Sequence, residues 1–378
     1  MLANLPPMGW NSWNTFGHAI NEKVVRDTAD AIVDLGLKDV GYEYVVIDDC
    51  WSLRQRSAEG KLVADPEKFP SGMKALSDYI HSKGLKFGMY SCAGTRTCAG
   101  QPGSYDYEYT DAETFAEWGV DYLKYDYCYL PTTADGKLCY KRMGMALRAT
   151  GREILFSACN WGENDCGKWM RSVGAHMWRS TGDIVDNWNS IKNLTMQQLP
   201  KINEGAMGSF NDMDMLVCGM YGKGNAALGG CTDEEYKTHF TIWAFLNSPL
   251  IIGCDVRNMS EETRKILLDK DVIAINQDPE CRQPYLASSS QHDPENQKLV
   301  FIKPMAENEY AIGFFNFTDE KSSVQLNLCD VGLAASSGYS FKLYDVWAKE
   351  DAGVFKDWIA PTLEKHACVL YRARLVKD

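Results

Sequence analysis

The sequence predicts an α/β protein that consists of a (β/α)8 TIM barrel followed by a C-terminal antiparallel β-sandwich domain. Short apolar runs alternate with amphipathic helix patterns through the first three quarters of the chain, and eight such runs occur, the number a barrel needs. Beyond these runs, short β-like segments separated by polar turns replace the helix patterns. We therefore expect a catalytic barrel over residues 1–279 and a β-sandwich over residues 280–378.

The eight predicted barrel strands are short and mostly apolar. Several of them end at or just before a polar or aromatic residue, which places such residues at one rim of the barrel. The predicted ends are Trp13, Asp48, Tyr90, Asp126, Cys159, Trp178, Asn211 and Ile252.

Helix patterns fill the intervals between these strands. Asn21 is a candidate N-cap for a helix whose apolar residues follow a 3.6-residue period as far as Leu35. Further helices are expected over residues 71–83, 112–118 and 141–147. The glycine-containing stretch 219–230 matches neither a dinucleotide nor a phosphate-binding fingerprint and is predicted to be a loop near the barrel mouth.

The C-terminal part has a different pattern, in which β-like runs follow one another without convincing helices. These runs are rich in β-branched and aromatic residues, which favour strands. They cover residues 299–302, 310–315, 323–328 and 368–371.

The composition of the chain limits the classes of molecule that it is expected to bind. The chain has 378 residues, of which 45% are hydrophobic and 12% aromatic, enough for one large and one smaller core. The formal net charge is -12 and no basic run occurs, which argues against nucleic acid and anionic membranes as partners. No window approaches the length of a membrane-spanning helix.

Cysteine and histidine usage gives no sign of a metal site or an organic cofactor. The thirteen cysteines form no CxxC pair, and the six histidines are scattered along the chain. The N-terminus lacks a basic segment followed by an apolar stretch, so we expect a cytoplasmic protein without a secretory signal. A secreted chain from which the signal had been removed would have the same sequence.

Residues at the ends of barrel strands converge on one face, so the polar residues there should share one site. Carboxylates accept hydrogen bonds from sugar hydroxyls, and aromatic rings cover apolar sugar faces. The candidate site residues are Trp13, Asp48, Asp49, Tyr90, Lys124, Asp126, Cys159, Trp161, Arg179, Asp183, Asp214 and Met215.

Two of these carboxylates, Asp126 and Asp183, each follow a short apolar or aromatic run with a basic residue a few places upstream. A single Asp after a strand is typical of a turn or a helix cap. The recurrence of this arrangement along the chain instead favours a catalytic pair. Paired carboxylates with aromatic neighbours are typical of the active site of a glycoside hydrolase.

Four motifs resemble, in order, the signature blocks of family 27 glycoside hydrolases, the α-galactosidases. They are residues 8–13 (MGWNSW), 47–51 (IDDCW), 124–126 (KYD) and 178–184 (WRSTGDI). The resemblance implies a (β/α)8 barrel with a C-terminal β-sandwich and retaining hydrolysis of terminal α-galactosides. It also implies that no metal or organic cofactor is needed and that the substrates are α-galactoside oligosaccharides or glycoconjugates. It leaves open whether the protein is a homo-oligomer.

The resemblance also implies a role for each site residue. Asp126 corresponds to the nucleophile and Asp183 to the general acid/base. By the same resemblance, Asp48 and Asp49 would bind the C4 and C6 hydroxyls of galactose, and Lys124 would bind ring hydroxyls near the nucleophile. Arg179 and Asp214 would bind the C2 and C3 hydroxyls. The pocket wall would be formed by Trp13, Tyr90 and Met215, and the boundary at C2 by Cys159 and Trp161.

The chain departs from the family pattern at two places. The segment after the seventh strand, residues 208–215 (GSFNDMDM), lacks the usual Trp and Pro, although its Asp and Met positions are kept. The loop after the first strand has no cysteine, so Cys50 is expected to be a buried thiol. Cys98 and Cys128 match a bridge of secreted relatives, and the sequence leaves their oxidation state open.

The sequence allows three alternatives to an α-galactosidase. Two of them lie within the family, an α-N-acetylgalactosaminidase and a β-L-arabinopyranosidase. The pair Asp48 and Asp49 argues against the latter, because arabinopyranose has no C6 hydroxymethyl group. The third is a sugar-binding or regulatory protein with an inactive barrel. The presence of both Asp126 and Asp183 argues against it.

Overall fold

The computed structural model describes residues 2–287 and 297–378, and its N-terminal part is a barrel of parallel strands. The strands are β1 (Met8–Asn11), β2 (Tyr44–Val46), β3 (Lys86–Cys92), β4 (Tyr122–Asp126), β5 (Leu155–Ala158), β6 (Met177–Arg179), β7 (Phe210–Asp212) and β8 (Leu250–Ile252). They form one sheet in the order β7-β6-β5-β4-β3-β2-β1-β8. The sheet closes through Leu216, which follows β7 and forms a parallel bridge with Ile252. The predicted barrel is therefore confirmed.

The barrel interior is packed with side chains and is not a channel. Strand residues alternate between the interior and the surrounding helices. The interior core includes Tyr44, Val46, Tyr122, Leu155, Met177, Phe210 and Ile251. This packed layer forms a floor beneath the polar residues that follow it at the carboxyl ends of the strands.

The helices surround the sheet, and the helix patterns of the sequence are found where they were expected. They are α1 (Trp13–Phe16), α2 (Glu22–Asp34), α3 (Gly72–Ser82), α4 (Glu108–Trp118), α5 (Gly136–Ala149), α6 (Trp188–Gln198), α7 (Asp233–Phe245), α8 (Glu261–Leu267) and α9 (Lys270–Asn276). Asn21 caps α2 as predicted, because its Oδ1 accepts a hydrogen bond from Val24 N at 3.0 Å. Within the described ranges, none of these helices combines the length and apolarity needed to cross a membrane.

Three predicted strand ends, those of β1, β2 and β3, are wrong by two residues, and those of β5, β6 and β7 are wrong by one. β3 ends at Cys92 and not at Tyr90. β1 ends at Asn11, and Trp13 is the first residue of α1. The reason is local, because Asn11 Oδ1 accepts the hydrogen bond of Trp13 N at 2.9 Å and turns the chain out of the sheet. β2 likewise ends at Val46, and Asp48 N donates to Ser12 Oγ at 2.9 Å. The ends of β4 at Asp126 and of β8 at Ile252 are as predicted.

The connection from β5 to β6 departs from the regular strand–helix alternation. Two 3₁₀ segments, Glu163–Lys168 and Met170–Val173, take the place of an α-helix there. Asn164 and Asp165 have positive φ, which interrupts helical geometry. Gly162 N, at the start of the connection, donates to Arg179 O at 3.0 Å.

The C-terminal part is an antiparallel β-sandwich. Its strands are β9 (Tyr285–Leu286), β10 (Lys298–Pro304), β11 (Glu309–Asn316), β12 (Ser322–Ser323), β13 (Leu326–Asn327), β14 (Tyr339–Asp345), β15 (Glu350–Phe355), β16 (Trp358–Ile359), β17 (Thr362–Leu363) and β18 (Cys368–Lys377). One sheet has the order β15-β14-β18-β11-β10-β9, and the pairs β12–β17 and β13–β16 lie apart from it. The predicted run 323–328 is divided between β12 and β13, and β14 and β15 were not predicted.

The strands β10 and β11 of the larger C-terminal sheet are buried on both faces. Along β10, Leu299 and Phe301 belong to the core shared with the barrel, whereas Val300 and Ile302 belong to a separate core with Leu326 and other residues of the short strand pairs. This alternation is what a strand between two apolar layers requires. The first face packs against α7, where Phe245 lies 6.0 Å from Phe301 between ring centroids.

Candidate active site

A cavity of about 200 Å³ lies at the carboxyl ends of the barrel strands. Ten of the twelve predicted site residues line it, and they come from segments that follow six different strands. The lining residues are Trp13, Asn14, Asp48, Asp49, Tyr90, Cys98, Lys124, Asp126, Arg179, Asp183, Ile184, Val185, Asp214, Met215, Asn225 and Ala226. Cys159 and Trp161 are the two predicted residues outside this set.

Asp126 lies at the bottom of the cavity as the last residue of β4 and is 5% exposed. Its two oxygens accept different hydrogen bonds, one from Tyr127 N to Oδ1 at 2.9 Å and one from the Tyr90 hydroxyl to Oδ2 at 3.1 Å. These bonds fix the orientation of the carboxylate. Burial raises the pKa of Asp126 to about 6, against the opposing charge of Lys124.

A second carboxylate, Asp48, is held by two donors at the side of the cavity. Lys124 Nζ donates to Asp48 Oδ2 at 2.8 Å, and Asn11 Nδ2 donates to the same oxygen at 2.7 Å. Burial alone would lower the pKa of Lys124, but the surrounding acidic groups, led by Asp48, outweigh it and raise the pKa. Lys124 therefore remains a cation between two carboxylates, Asp48 and Asp126.

Asp49 is positioned by backbone donors from two loops. Cys50 N donates to Oδ1 at 2.7 Å, and Ala99 N donates to Oδ2 at 2.8 Å. Burial raises the pKa of the Asp49 carboxyl. The loop after β3 thus helps to position a residue that follows β2.

Arg179 links two carboxylates on the opposite side of the cavity. Its Nη1 lies 3.1 Å from Asp214 Oδ1, and its Nη2 donates to Asp183 Oδ1 at 2.8 Å. The guanidinium group is 3% exposed, so these charge-assisted bonds form in a region of low dielectric. Its Nε has no hydrogen-bond partner within the described residues.

Asp183 lies at the rim and differs from Asp126 in both exposure and charge environment. Its side chain is 73% exposed, whereas Asp126 is buried. Partial desolvation by the surrounding protein would by itself raise the pKa of Asp183. The charges of Arg179 and then Lys124 outweigh this effect, so the pKa is lowered. The two carboxylates in this cavity therefore have pKa values shifted in opposite directions, a pattern typical of acid/base pairs.

Asp214 adopts a strained backbone conformation, with a φ of 81°. Its N–H donates to Asp212 Oδ1 at 2.9 Å, and its carbonyl accepts a bond from Trp243 Nε1 at 2.8 Å. The carboxylate accepts a further bond from Ile184 N at 2.8 Å. Asp214 and Met215, which keep the family's Asp and Met in the segment 208–215, therefore line the cavity.

Two cysteine predictions are resolved by the structure. Cys98 and Cys128 form a disulfide that joins the loops after β3 and β4, and Cys98 lines the cavity. Cys50 is a buried free thiol, as predicted. Its Sγ lies 3.1 Å from Nδ1 of His18.

Cys159 and Trp161 follow β5 but lie behind the cavity wall. Cys159 is buried, and Arg179 Nη1 lies 3.7 Å from its Sγ. Trp161 is half-buried, has a φ of 58° and packs edge-on against Tyr127 at 6.0 Å between ring centroids. Their predicted contact with the C2 position of a sugar therefore stays a prediction.

Several lining residues were not named from the sequence. Ile184 and Val185 follow Asp183 directly, so their position could have been inferred from it. Asn225 and Ala226 belong to the loop 219–230, which was expected near the barrel mouth and reaches the cavity through backbone hydrogen bonds to α1. No local sequence pattern signals these long-range bonds.

Other polar groups on the described surface offer no comparable site. Cys98, Asp126 and Cys128 are close enough together to suggest metal ligands, but the two cysteines are joined in the disulfide. A larger open groove, about 1150 Å³, runs beside α7 and α8. Charged side chains in its walls pair with one another, as Lys349 does with Asp269 and Asp271.

Comparisons with known proteins agree with this geometry. The sequence profile described as "Alpha galactosidase A" matches residues 5–278, and the one described as "Alpha galactosidase C-terminal beta sandwich domain" matches residues 295–373. The chain is 43% identical to an α-galactosidase from Cyamopsis tetragonoloba over 98% of this chain and 86% of that protein.

Solved structures give the same result. α-Galactosidase I from Mortierella vinacea superposes with a TM-score of 0.91 at 36% identity, over 98% of this chain and 97% of that one. The α-galactosidase from Saccharomyces cerevisiae with raffinose superposes with a TM-score of 0.89 at 30% identity, over 99% and 98% of the two chains.

A barrel whose strand ends bring a buried and an exposed carboxylate into one small cavity defines the protein as a glycoside hydrolase. Its family follows from the extent of the similarity. The chain belongs to the α-galactosidases of glycoside hydrolase family 27.

Proposed function

We propose that the protein is a retaining exo-α-galactosidase that removes terminal, non-reducing α-D-galactosyl residues by double displacement through a covalent galactosyl-enzyme. The observation that carries this proposal is the unequal pair of carboxylates, Asp126 buried at the bottom of the cavity and Asp183 exposed at its rim. The substrates would be α-galactoside oligosaccharides or glycoconjugates. Residues 1–279 would form the catalytic barrel, and residues 280–378 would form the β-sandwich domain.

In the first step, Asp126 attacks the anomeric carbon while Asp183 protonates the departing oxygen. The fixed orientation of Asp126 supports the nucleophilic role, because Tyr90 and Tyr127 N hold its oxygens. The exposure of Asp183 supports the acid role, because the leaving group must depart toward solvent. The C1–O bond to the leaving group breaks as the C1–Oδ bond to Asp126 forms.

In the second step, water replaces the leaving group beside Asp183, which accepts a proton as the water attacks C1. The bond between C1 and Asp126 breaks, and the carboxylate is restored. Each displacement inverts the anomeric carbon, so the product has the α configuration of the substrate. Asp183 serves as acid in the first step and as base in the second because protonation of the leaving group leaves it as a carboxylate.

The remaining polar residues suit a sugar ring bound with its non-reducing end inward. Asp48 and Asp49 would accept bonds from the C4 and C6 hydroxyls, and Lys124 would donate to a hydroxyl near the nucleophile. Arg179 and Asp214 would bind the C2 and C3 hydroxyls from the opposite side. The small volume of the cavity and the packed barrel core beneath it support an exo mode of attack.

The alternatives within the family differ at two positions of the sugar. The carboxylates of Asp48 and Asp49 would lack one hydroxyl partner if the substrate were a β-L-arabinopyranoside, and binding would lose a hydrogen bond to a charged acceptor. For an α-N-acetylgalactosaminide, the acetamido group would meet the side of the cavity formed by Arg179, behind which Cys159 packs.

A nitrophenyl α-galactoside assay tests the proposal. Wild type should release nitrophenol, and Asp126→Ala should abolish turnover of every galactoside. Asp183→Ala should retain more activity on this activated substrate than on a disaccharide, because nitrophenol departs with little protonation. Asp165→Ala provides a matched control, since Asp165 is an exposed Asp paired with Lys168 outside the cavity. Lack of wild-type activity, or equal losses in the two variants on both substrates, would contradict the proposal.

A further inference from the structure

The loop 219–230 forms part of the cavity wall and is attached to the barrel on two sides. On one side, Asn225 N donates to Thr15 O at 3.2 Å and Ala226 N donates to Asn14 O at 2.8 Å. These bonds hold the loop against α1, next to Trp13. Asn225 and Ala226 thereby become lining residues although they are far from the strand ends in sequence.

On its other side, the loop is held by Asp186, which is fully buried. The Oδ2 atom of Asp186 accepts a bond from Gly222 N at 2.7 Å, and its Oδ1 atom accepts one from the Tyr236 hydroxyl at 2.8 Å. The Asp186 backbone adds two bonds, donating to Ala226 O at 2.9 Å and accepting from Gly230 N at 2.8 Å. The loop is therefore tied to the same segment that carries Asp183.

The side chain of Asn225 lies at the cavity and makes no hydrogen bond within the described residues. The backbone of Gly17 permits this placement, because a Cβ atom there would lie 2.8 Å from Asn225 Cγ. A second amide in the same wall is also unpaired: Asn14 Nδ2 has no partner although Asn14 is 2% exposed. Free amide groups at a cavity wall are available to a ligand.

The position of Asn225 relative to the two ends of the cavity indicates which part of a ligand it meets. Asp48, Asp49 and Lys124 belong to the side proposed for the galactose hydroxyls. The loop instead pairs with the segment that follows Asp183, and Asp183 is the group proposed to protonate the departing oxygen. The leaving group should therefore pass beside Asn225.

We propose that Asn225 determines specificity for the leaving group by forming a hydrogen bond with a hydroxyl of the departing saccharide. The inference rests on the proposed function and extends it to the acceptor side of the same site. A saccharide leaving group offers hydroxyls that donate and accept, and an amide side chain can pair with both. Nitrophenol offers no hydroxyl besides the one released, so it cannot use this contact.

The test compares two substrates in the full-length enzyme. For wild type and Asn225→Ala, kcat/KM is measured on melibiose, whose leaving group is glucose, and on 4-nitrophenyl α-galactoside. One lost hydrogen bond to a neutral partner should lower the ratio of the melibiose value to the nitrophenyl value by about 3- to 10-fold. Lys223→Ala is the matched control, because Lys223 is exposed on the same loop and does not line the cavity.

A second variant tests the attachment of the loop. Asp186→Asn keeps the side-chain shape but removes the negative charge that holds Gly222 N and the Tyr236 hydroxyl. Hydrogen exchange at residues 219–230 should become faster, and the substrate ratio should fall in the same direction as in Asn225→Ala. If Asn225→Ala left the ratio of the two kcat/KM values unchanged, including through equal losses on both substrates, the inference would be overturned. Wild-type inactivity on both substrates would instead overturn the proposed function on which it rests.

Discussion

Arg179 donates a hydrogen bond of 2.8 Å to Asp183, and this pairing keeps the proton of the catalytic pair away from the proposed acid in the free enzyme. The charge of Arg179 lowers the pKa of Asp183 despite the opposing effect of partial desolvation by the surrounding protein, while burial raises the pKa of Asp126 to about 6. These opposite shifts favour Asp126 over Asp183 as the site of a proton held by the pair. The proposed mechanism requires the same charge state with that proton on Asp183.

This relationship predicts a bell-shaped pH dependence of kcat/KM on melibiose. The pair loses its last proton as pH rises through about 6, so activity should decline above that value. In Asp183→Ala, only the ionisation of Asp126 matters for an activated substrate. Activity on nitrophenyl α-galactoside should then rise with pH through the pKa of Asp126 and reach a plateau. Wild type on the nitrophenyl substrate is the control, and an unchanged decline above pH 6 in the variant would contradict the assignment.

The Tyr90 hydroxyl should stabilise the ionised form of Asp126, to which it donates at 3.1 Å. A hydrogen bond to a charged group contributes about 1.5–3 kcal/mol, so Tyr90→Phe should lower kcat/KM by about 10- to 100-fold. Tyr127→Phe is the matched control, because the Tyr127 hydroxyl accepts from Asn164 Nδ2 instead. Equal effects of the two substitutions would show that the hydroxyl of Tyr90 is not specifically required.

The side of the cavity near C2 should exclude an acetamido group. We expect wild type to cleave α-galactosides well and α-N-acetylgalactosaminides poorly, because a larger substituent would strain the packing around Arg179. Replacing Cys159 by Ser together with Trp161 by Ala should raise the relative activity on the N-acetylgalactosaminide by about 10-fold. Trp169→Ala, a half-buried Trp of the same connection, is the control. Similar wild-type kcat/KM values on both substrates would contradict this prediction.

Lys303 should make stability depend on pH at the interface between barrel and sandwich. Its ammonium group is fully buried, donates to Asn247 Oδ1 at 2.6 Å and to Ile275 O, and has a pKa lowered by burial to about 8. Between about pH 8 and the unfolded value near 10.4, only the unfolded chain holds the proton. The free energy of unfolding contributed by Lys303 should therefore rise with pH in this window.

Urea unfolding of wild type and Lys303→Met at pH 8, 9 and 10 measures this effect. The free energy of unfolding of wild type should increase relative to that of the variant by up to about 1.4 kcal/mol per pH unit. Lys342→Met serves as the control, because the Lys342 side chain is half-exposed. Parallel pH profiles for wild type and Lys303→Met would show that the buried ammonium is not titrating in this range.

The barrel and most of the site could be predicted because their signals are local. A buried strand is a short apolar run, and Asp126 and Asp214 are found where such runs end. β14 and β15 escaped prediction because their exposed residues interrupt the apolar pattern. The place of Asn225 depends on bonds to Asn14 and Thr15, more than two hundred residues away in sequence. Contacts of this kind are set by tertiary packing and leave no trace in the local pattern.

The anomeric configuration of the first product tests the central claim most directly. Proton NMR of a reaction with nitrophenyl α-galactoside, recorded before mutarotation, distinguishes α-galactose from β-galactose. Double displacement through Asp126 inverts C1 twice, so α-galactose should appear first and β-galactose only later. If β-galactose appeared first, water would have attacked C1 directly, and the role of Asp126 as a nucleophile would be contradicted.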